Sequence, residues 1–145
     1  MENTDMIKTD VLIIGGGPSG LATAIHLANL LNENKLQKRI LLIEKGRSIG
    51  SHILSGAVVK PEVFKKLLKD KDFQQIPFDT QVTTDKTVFL GKKGKIKLPF
   101  HLPYMRNKGN FVASLASVCR YLASVAEEKG VEIYSGFSVN EILYQ

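Results

Sequence analysis

The feature that most restricts the fold of this sequence is a glycine-rich hexapeptide, Gly15-Gly16-Gly17-Pro18-Ser19-Gly20. It follows four consecutive apolar residues, 11–14, which predict a strand buried on both faces of a parallel sheet. It precedes a segment, 18–31, whose apolar residues recur at helical spacing after an initial proline. The G-x-G-x-x-G spacing between a strand and a helix predicts a loop that binds the diphosphate of a dinucleotide.

The glycines of this loop each have a mechanical reason. Gly15 permits the tight turn out of the strand, and Gly17 leaves the backbone open to a diphosphate. Gly20 allows the helix to pack closely on the strand. The N–H groups of the first helical turn and the positive end of the helix dipole then face the phosphates. We therefore assign all six loop residues to cofactor binding.

A second apolar run, 40–43, ends in the acid Glu44. A carboxylate at this point accepts hydrogen bonds from the adenosine ribose, and its charge opposes a 2′-phosphate, which disfavours NADP. Glu44 lies 29 residues after Gly15, against a typical distance of about 20, and the polar segment 32–39 accounts for the excess. We assign Glu44 and the adjacent Lys45 to the same cofactor site.

The remaining sequence predicts an α/β fold with an insertion. A short helix is expected at 61–69, and the turn Gly91-Lys92-Lys93-Gly94 predicts a β-hairpin between 86–90 and 95–98. A long helix from Phe111 to Gly130 and a third parallel strand at 131–134 follow, with a further strand at 139–143. Because a nicotinamide dehydrogenase continues directly with strand, helix and strand after its acid, the insertion favours FAD over NAD.

The predicted fold class is a Rossmann-like FAD/NAD(P)-binding α/β fold of the glutathione-reductase type. It has three layers, with a parallel sheet and an inserted β-hairpin. Residues 1–50 and 110–145 form the Rossmann core, and residues 51–109 form the insertion. The sheet is incomplete at the C-terminus, so we expect the chain to be the N-terminal part of a longer protein.

The composition excludes several other functions. No stretch of the 145 residues reaches the roughly 20 apolar residues that span a bilayer. The net charge of +6 comes from scattered lysines without a nucleic-acid-binding motif, so no nucleic-acid partner is expected. A single cysteine, Cys119, supports neither a disulfide framework nor a metal or iron–sulfur site. The acidic N-terminus, with Glu2, Asp5 and Asp10, argues against a transit peptide.

From Asp10 to Tyr144 the sequence resembles the electron transfer flavoprotein–ubiquinone oxidoreductases and their bacterial relatives of the FixC type. The glycine loop is common to many flavoproteins and does not single out this family. The segments Leu54-Ser55-Gly56-Ala57-Val58 and Gly130-Val-Glu-Ile-Tyr-Ser-Gly-Phe137 are more specific.

This resemblance implies that FAD accepts electrons from reduced electron transfer flavoprotein and passes them through a [4Fe–4S] cluster to ubiquinone. Ser55 and Gly56 would then lie near the flavin, and the backbone of Val139 would contact adenine. The cluster cysteines of the family are absent here, so the cluster is expected only in a C-terminal region beyond this chain. Electron transfer requires no acid, base or nucleophile, so no catalytic side chain is assigned, including His26, His52 and His101.

The resemblance also places the hairpin region in an apolar plateau that enters one membrane leaflet and admits quinone. The matching residues are Phe89, Leu90, Ile96, Leu98, Phe100 and Leu102. By pattern alone these side chains are as consistent with core packing, although the neighbouring lysines suit anionic headgroups. The implied location is the cytoplasmic face of a bacterial inner membrane, or the matrix face of the mitochondrial inner membrane.

Two alternatives remain open at the level of the sequence. One is another FAD-dependent oxidoreductase of the same fold, either geranylgeranyl-reductase-like or monooxygenase-like. The other is a non-enzymatic membrane-surface module that retains a nucleotide-binding fold.

Overall fold

The computed structural model describes residues 6–54, 56–68, 73–99 and 103–144. They form two compact units, the first within Met1–Ser55 and Leu115–Gln145 and the second within Gly56–Ser114. The strands and helices are, in chain order, β1 (Val11–Ile14), α1 (Pro18–Glu33), β2 (Ile40–Glu44), β3 (Gly56–Val59), α2 (Pro61–Leu67), β4 (Thr80–Gln81), β5 (Val88–Gly91), β6 (Gly94–Lys97), β7 (Phe111–Ser114), α3 (Leu115–Glu128) and β8 (Glu132–Ser135).

A parallel sheet in the order β1-β2-β8 forms the centre of the first unit. Its register aligns Ile14 with Ile43 and Glu44 with Ser135, so the carboxyl ends of all three strands meet at one edge. At the opposite edge, the guanidinium of Arg39 donates to both carboxylate oxygens of Glu132, at 2.6 and 2.8 Å. This pair fixes the start of β2 beside the start of β8.

Helices α1 and α3 pack against each other and supply most of the core of this unit. The buried side chains on α1 recur at the spacing of one helical face, and those on α3 form the matching stripe. These residues are Leu21, Ala24, Ile25 and Ala28 on α1 and Val118, Cys119, Leu122, Ala123, Val125 and Ala126 on α3. After α3 the chain reverses at Gly130, whose φ of +88° is a conformation that favours glycine.

The predicted long helix from Phe111 is wrong at its start, because Phe111–Ser114 is strand β7 and the helix begins at Leu115. β7 pairs with β3 on one side and with β4 on the other, so its backbone groups are bonded to strands that lie far away in sequence. A strand predicted at 139–143 is also wrong, since the backbone of 137–144 is irregular. The predicted helix at 61–69 is present as α2.

The second unit contains the antiparallel sheet β3-β7-β4 and a separate hairpin of β5 and β6. Four aromatic rings form its apolar centre, with centroids 4.8 to 5.7 Å apart in contacting pairs. They belong to Phe64, Phe73, Phe78 and Phe111. The hairpin turns at Lys92-Lys93, as predicted from its flanking glycines. Within the described ranges, no helix is long and apolar enough to cross a membrane.

Candidate functional site

The glycine loop makes the sharp turn that its sequence predicts. The amide of Gly15 donates to the carbonyl of Ile43 at 2.8 Å, which ties the end of β1 to β2. Gly15 has a φ of +103°, a region that glycine enters without steric cost. At Gly20 a Cβ atom would overlap the carbonyl oxygen of Gly15 and lie 3.2 Å from its carbonyl carbon. Only glycine at position 20 lets α1 approach the loop this closely.

The start of α1 is open on the side that a phosphate would occupy. Gly17 is the N-cap in an extended conformation, and no side chain caps the helix. Pro18 occupies the first helical position and brings no N–H group of its own. A Cβ atom at Gly17 would meet no atom within 4 Å, so the space in front of the first turn is free of protein. The unpaired amides and dipole of a helix start suit an anion in this space.

The carboxylate of Glu44 connects the glycine loop to the segment that follows β2. Its Oε2 accepts the amide of Gly16 and its Oε1 accepts the amide of Gly46, both at 2.7 Å. Burial raises the pKa of this carboxyl. The hydrogen bonds from Gly46 and Gly16, together with the charges of His52 and Lys45, lower the pKa by more than burial raises it. The net pKa lies below the usual value for glutamate, so the group is a carboxylate at neutral pH. Each oxygen keeps a lone pair for a hydroxyl donor.

A cleft of about 190 Å³ lies beside this carboxylate, at the carboxyl ends of the parallel strands. Two backbone hydrogen bonds join the segment after β8 to the end of β2 and the loop that follows it, from the amide of Phe137 to the carbonyl of Glu44 at 3.0 Å and from the amide of Gly136 to the carbonyl of Gly46 at 2.8 Å. The lining residues come from the ends of β1 and β2, the residue that follows each of these strands, and the segment after β8. They are Ile14, Gly15, Ile43, Glu44, Lys45, Phe137, Ser138 and Val139.

The structure thus brings together the six loop residues, Glu44, Lys45 and Val139 within the first unit. Gly56 begins β3 in the second unit, opposite Ser114, and its assignment to the flavin end of the site stays a prediction. Ser55 lies outside the described residues.

Three residues of this site were not predicted from the sequence: Ile49, Gly50 and Phe137. Ile49 is buried beneath the glycine loop, where its Cδ1 would be overlapped by a Cβ atom at Gly16. Gly50 has a φ of +84°, and a Cβ atom there would lie 2.9 Å from the carbonyl oxygen of Ala116 on α3. The sequence signal for this contact was a glycine soon after the acid that ends β2.

A larger cavity of about 460 Å³ lies at the amino ends of the strands, between the C-terminal ends of α1 and α3. Its charged groups are already engaged, since Lys38 pairs with Asp10 at 2.9 Å and Arg39 pairs with Glu132. Its lining, as far as the structure describes it, includes no helix N-terminus. We therefore place the candidate site at the smaller cleft, despite the difference in volume.

The hairpin residues of the predicted quinone and membrane surface lie in the second unit. Phe89, Leu90 and Ile96 are 66, 73 and 67% exposed, so they do not pack in its core. Leu98 is half-buried, and Phe100 and Leu102 lie outside the described residues. Among the described residues, no group of three or more His, Cys, Asp or Glu side chains could hold a metal ion.

Comparisons with known proteins define the class first. Residues 13–69 match the family model of the NAD(P)-binding Rossmann-like domain. A flavoprotein/dehydrogenase from Cytophaga hutchinsonii superposes with a TM-score of 0.64 at 18% identity, covering 96% of this chain and 33% of that one. A myxobacterial chondrochloren halogenase, a variant of the FAD-dependent halogenases, superposes with a TM-score of 0.62 at 19% identity. The match covers 94% of this chain and 30% of the halogenase. The chain therefore has the predicted Rossmann-like FAD/NAD(P)-binding fold.

The particular family follows from the sequence relatives. The chain is 42% identical to the mitochondrial electron transfer flavoprotein-ubiquinone oxidoreductase of Dictyostelium discoideum, over 97% of this chain and 23% of the relative. It is 41% identical to the probable electron transfer flavoprotein-ubiquinone oxidoreductase of Acinetobacter baylyi, over 97% and 25%. The chain is a homologue of this oxidoreductase family over nearly all of its length, which confirms the resemblance. It spans about a quarter of the length of these relatives.

Proposed function

We propose that this chain is the FAD-binding part of an oxidoreductase that takes electrons from reduced electron transfer flavoprotein and delivers them to ubiquinone. The observation that carries the proposal is the Glu44 carboxylate. One of its oxygens accepts the amide of Gly16 in the glycine loop and the other accepts the amide of Gly46 after β2, both at 2.7 Å. The carboxylate lies beside the start of α1, which no side chain caps. The identity of about 40% to named members of this oxidoreductase family supports the choice of donor and acceptor.

In this proposal the residues of the chain bind and orient FAD, which supplies the redox chemistry when bound. The amides at the start of α1 hold the diphosphate, and the open space at Gly17 lets the backbone approach it. The Glu44 carboxylate accepts hydrogen bonds from the hydroxyl groups of the adenosine ribose. The cleft lined by Lys45 and Val139 binds adenine. No side chain here has to gain or lose a proton for electron transfer.

The described residues do not fit a [4Fe–4S] cluster. Clusters of this kind are held by four cysteine thiolates, and the sequence contains only Cys119. Cys119 is fully buried in α3, and this burial raises the pKa of its thiol. A cluster in the intact protein would need ligands from outside this chain.

The hairpin provides the proposed contact with one membrane leaflet at the face where quinone enters. Phe89 and Ile96 are directly opposite each other across β5 and β6, so they share one face of the hairpin. Leu90 and Lys95 form the neighbouring pair, which points to the other face. We propose that the Phe89–Ile96 face lies against the leaflet while the lysines meet anionic headgroups, in a protein peripheral to a bacterial or mitochondrial inner membrane.

Replacing both Phe89 and Ile96 with serine is expected to weaken vesicle binding of the intact protein at least tenfold. Burial of one large apolar side chain contributes about 1.5–3 kcal/mol, and partial burial of two exceeds the 1.4 kcal/mol of a tenfold change. Sedimentation with lipid vesicles measures the partition coefficient. Val63→Ser is the matched control, because Val63 is 61% exposed on α2 in the same unit.

A separate charge reversal tests the lysines of the turn. Lys92→Glu with Lys93→Glu should lower binding to vesicles that contain an anionic lipid and leave binding to neutral vesicles unchanged, since each lysine near an anionic surface contributes about 1 kcal/mol. The membrane role of the hairpin is wrong if the serine pair binds vesicles as strongly as the Val63→Ser control.

Electron transfer by the intact protein that carries this chain tests the proposed function directly. The purified protein should contain FAD, reduced electron transfer flavoprotein should bleach the flavin absorbance, and a ubiquinone analogue should restore it. A flavin that NAD(P)H reduces instead would favour the geranylgeranyl-reductase-like or monooxygenase-like alternative. An intact protein that never takes up FAD would favour the non-enzymatic membrane-surface module.

A further inference from the structure

Phe137 occupies an unusual position for a large aromatic residue. It follows β8 in an irregular segment, yet its backbone is fixed by the hydrogen bond from its amide to the carbonyl of Glu44 at 3.0 Å. The preceding residue, Gly136, has a φ of +84° and donates to Gly46 at 2.8 Å. The backbone of Phe137 is therefore tied to the same residue whose side chain joins the two loops of the site.

The ring of Phe137 is held at the cleft without being buried. Its centroid lies 6.0 Å from that of Tyr134 at an interplanar angle of 83°, an edge-to-face arrangement that restricts the ring orientation. The side chain of Phe137 is 57% exposed and lines the same cleft as Gly15, Glu44 and Lys45. Packing among the described residues does not explain a ring with this much exposed surface and this degree of backbone anchoring.

We propose that Phe137 is the aromatic wall of the adenine pocket. Its ring makes the pocket bind a diphosphate that carries adenine more tightly than a diphosphate without a base. The inference rests on the proposed function, because it names a specificity residue of the FAD site. A flat apolar ring beside the proposed ribose-binding carboxylate can stack on a purine. Lys45 lines the same cleft and can interact with the base or with the neighbouring phosphate. The effect is on the affinity for the adenine half, and the flavin end is not involved.

The experiment compares ADP with inorganic pyrophosphate, which has no base, in titrations of the intact apoprotein. Phe137→Ala should weaken ADP binding about tenfold and leave competition by pyrophosphate unchanged. Phe137→Tyr should restore the affinity, because it keeps a ring of the same shape. Tyr144→Ala is the matched control, since Tyr144 is an 89% exposed aromatic residue in the same irregular segment, 137–144.

A spectroscopic readout tests the stacking itself. Phe137→Trp introduces an indole ring at the cleft, and ADP should quench the emission that this variant adds over the wild-type protein while pyrophosphate does not. If wild-type protein binds ADP and Phe137→Ala binds it equally well, the aromatic wall is wrong and the proposed function stands. If wild-type protein binds neither ADP nor FAD, both are wrong.

Discussion

Gly20→Ala is expected to remove FAD from the intact protein and to destabilise its first unit. The added methyl group would overlap the carbonyl oxygen of Gly15, lie 3.2 Å from the carbonyl carbon and contact Ile13 Cγ2 at 3.4 Å. The first two are backbone atoms, so no change of rotamer relieves the overlap. Overpacking of this kind costs about 1–3 kcal/mol, and here it also pushes the helix start away from the diphosphate site. Thermal unfolding and the flavin absorbance of the purified protein measure the two effects.

Two other glycines of the same loop separate folding from binding. A methyl group at Gly17 meets no protein atom within 4 Å, so the Gly17→Ala apoprotein should unfold at the wild-type temperature while its FAD affinity falls about 100-fold. At Gly16 a Cβ atom would overlap the Cδ1 end of Ile49 and lie 3.3 Å from both Cβ and Oε2 of Glu44. All three are side-chain atoms, so Gly16→Ala should lower FAD affinity by less than Gly20→Ala, whose obstruction is backbone. Retention of FAD at wild-type affinity by both Gly17→Ala and Gly20→Ala would show that the diphosphate does not bind at this helix start.

Glu44→Ala is expected to cause the second large loss, about 100-fold or more in FAD affinity. The substitution leaves the amides of Gly16 and Gly46 without their acceptor and removes the proposed ribose contact. Hydrogen bonds to a charged acceptor contribute about 1.5–3 kcal/mol each, so the loss of two and of the ribose contact supports this magnitude. Titration of the apoprotein with FAD measures it. Glu141→Gln is the control for the change in charge, because Glu141 is an exposed carboxylate in segment 137–144 of the same unit.

Glu44→Gln gives a finer test of the same arrangement. A carboxamide has one carbonyl oxygen, so it can accept from one of the two amides, and its NH₂ group faces the other donor. We expect an affinity between those of wild type and Glu44→Ala. An affinity of Glu44→Gln equal to that of wild type would contradict a role for both carboxylate oxygens.

The acid dependence of FAD binding should follow from the same carboxylate. The pKa of Glu44 is lowered in the folded protein, so the carboxylate form is fully present above the ordinary glutamate pKa of about 4.3. The contribution of this carboxylate to FAD binding is lost as the pH falls through the lower folded value. FAD release between neutral pH and about pH 5 should therefore not depend on Glu44. Below that range wild type should lose its advantage over Glu44→Gln, which has no proton to gain, and the difference between the two proteins isolates this group from others that titrate in acid.

The local parts of the fold were predictable from the sequence because each depends on neighbours along the chain. The apolar run of β1, the turn at Gly15 and the start of α1 at Pro18 follow from residues within a few positions of each other. The hairpin turn at Lys92-Lys93 was predictable for the same reason. The error at Phe111 has the opposite cause, since β7 is a strand through hydrogen bonds to β3 and β4, and no local pattern reports such partners.

The sequence by itself determined that a strand, a glycine turn and a helix begin a Rossmann-like unit with Glu44 at the end of its second strand. Only the tertiary structure decided what surrounds Glu44. It placed Phe137, 93 residues later in the chain, on the carbonyl of Glu44, and it placed the side chain of Ile49 beneath Gly16. The physical reason is that the turn depends on backbone sterics at each glycine, whereas the cleft exists only after three parallel strands align their carboxyl ends.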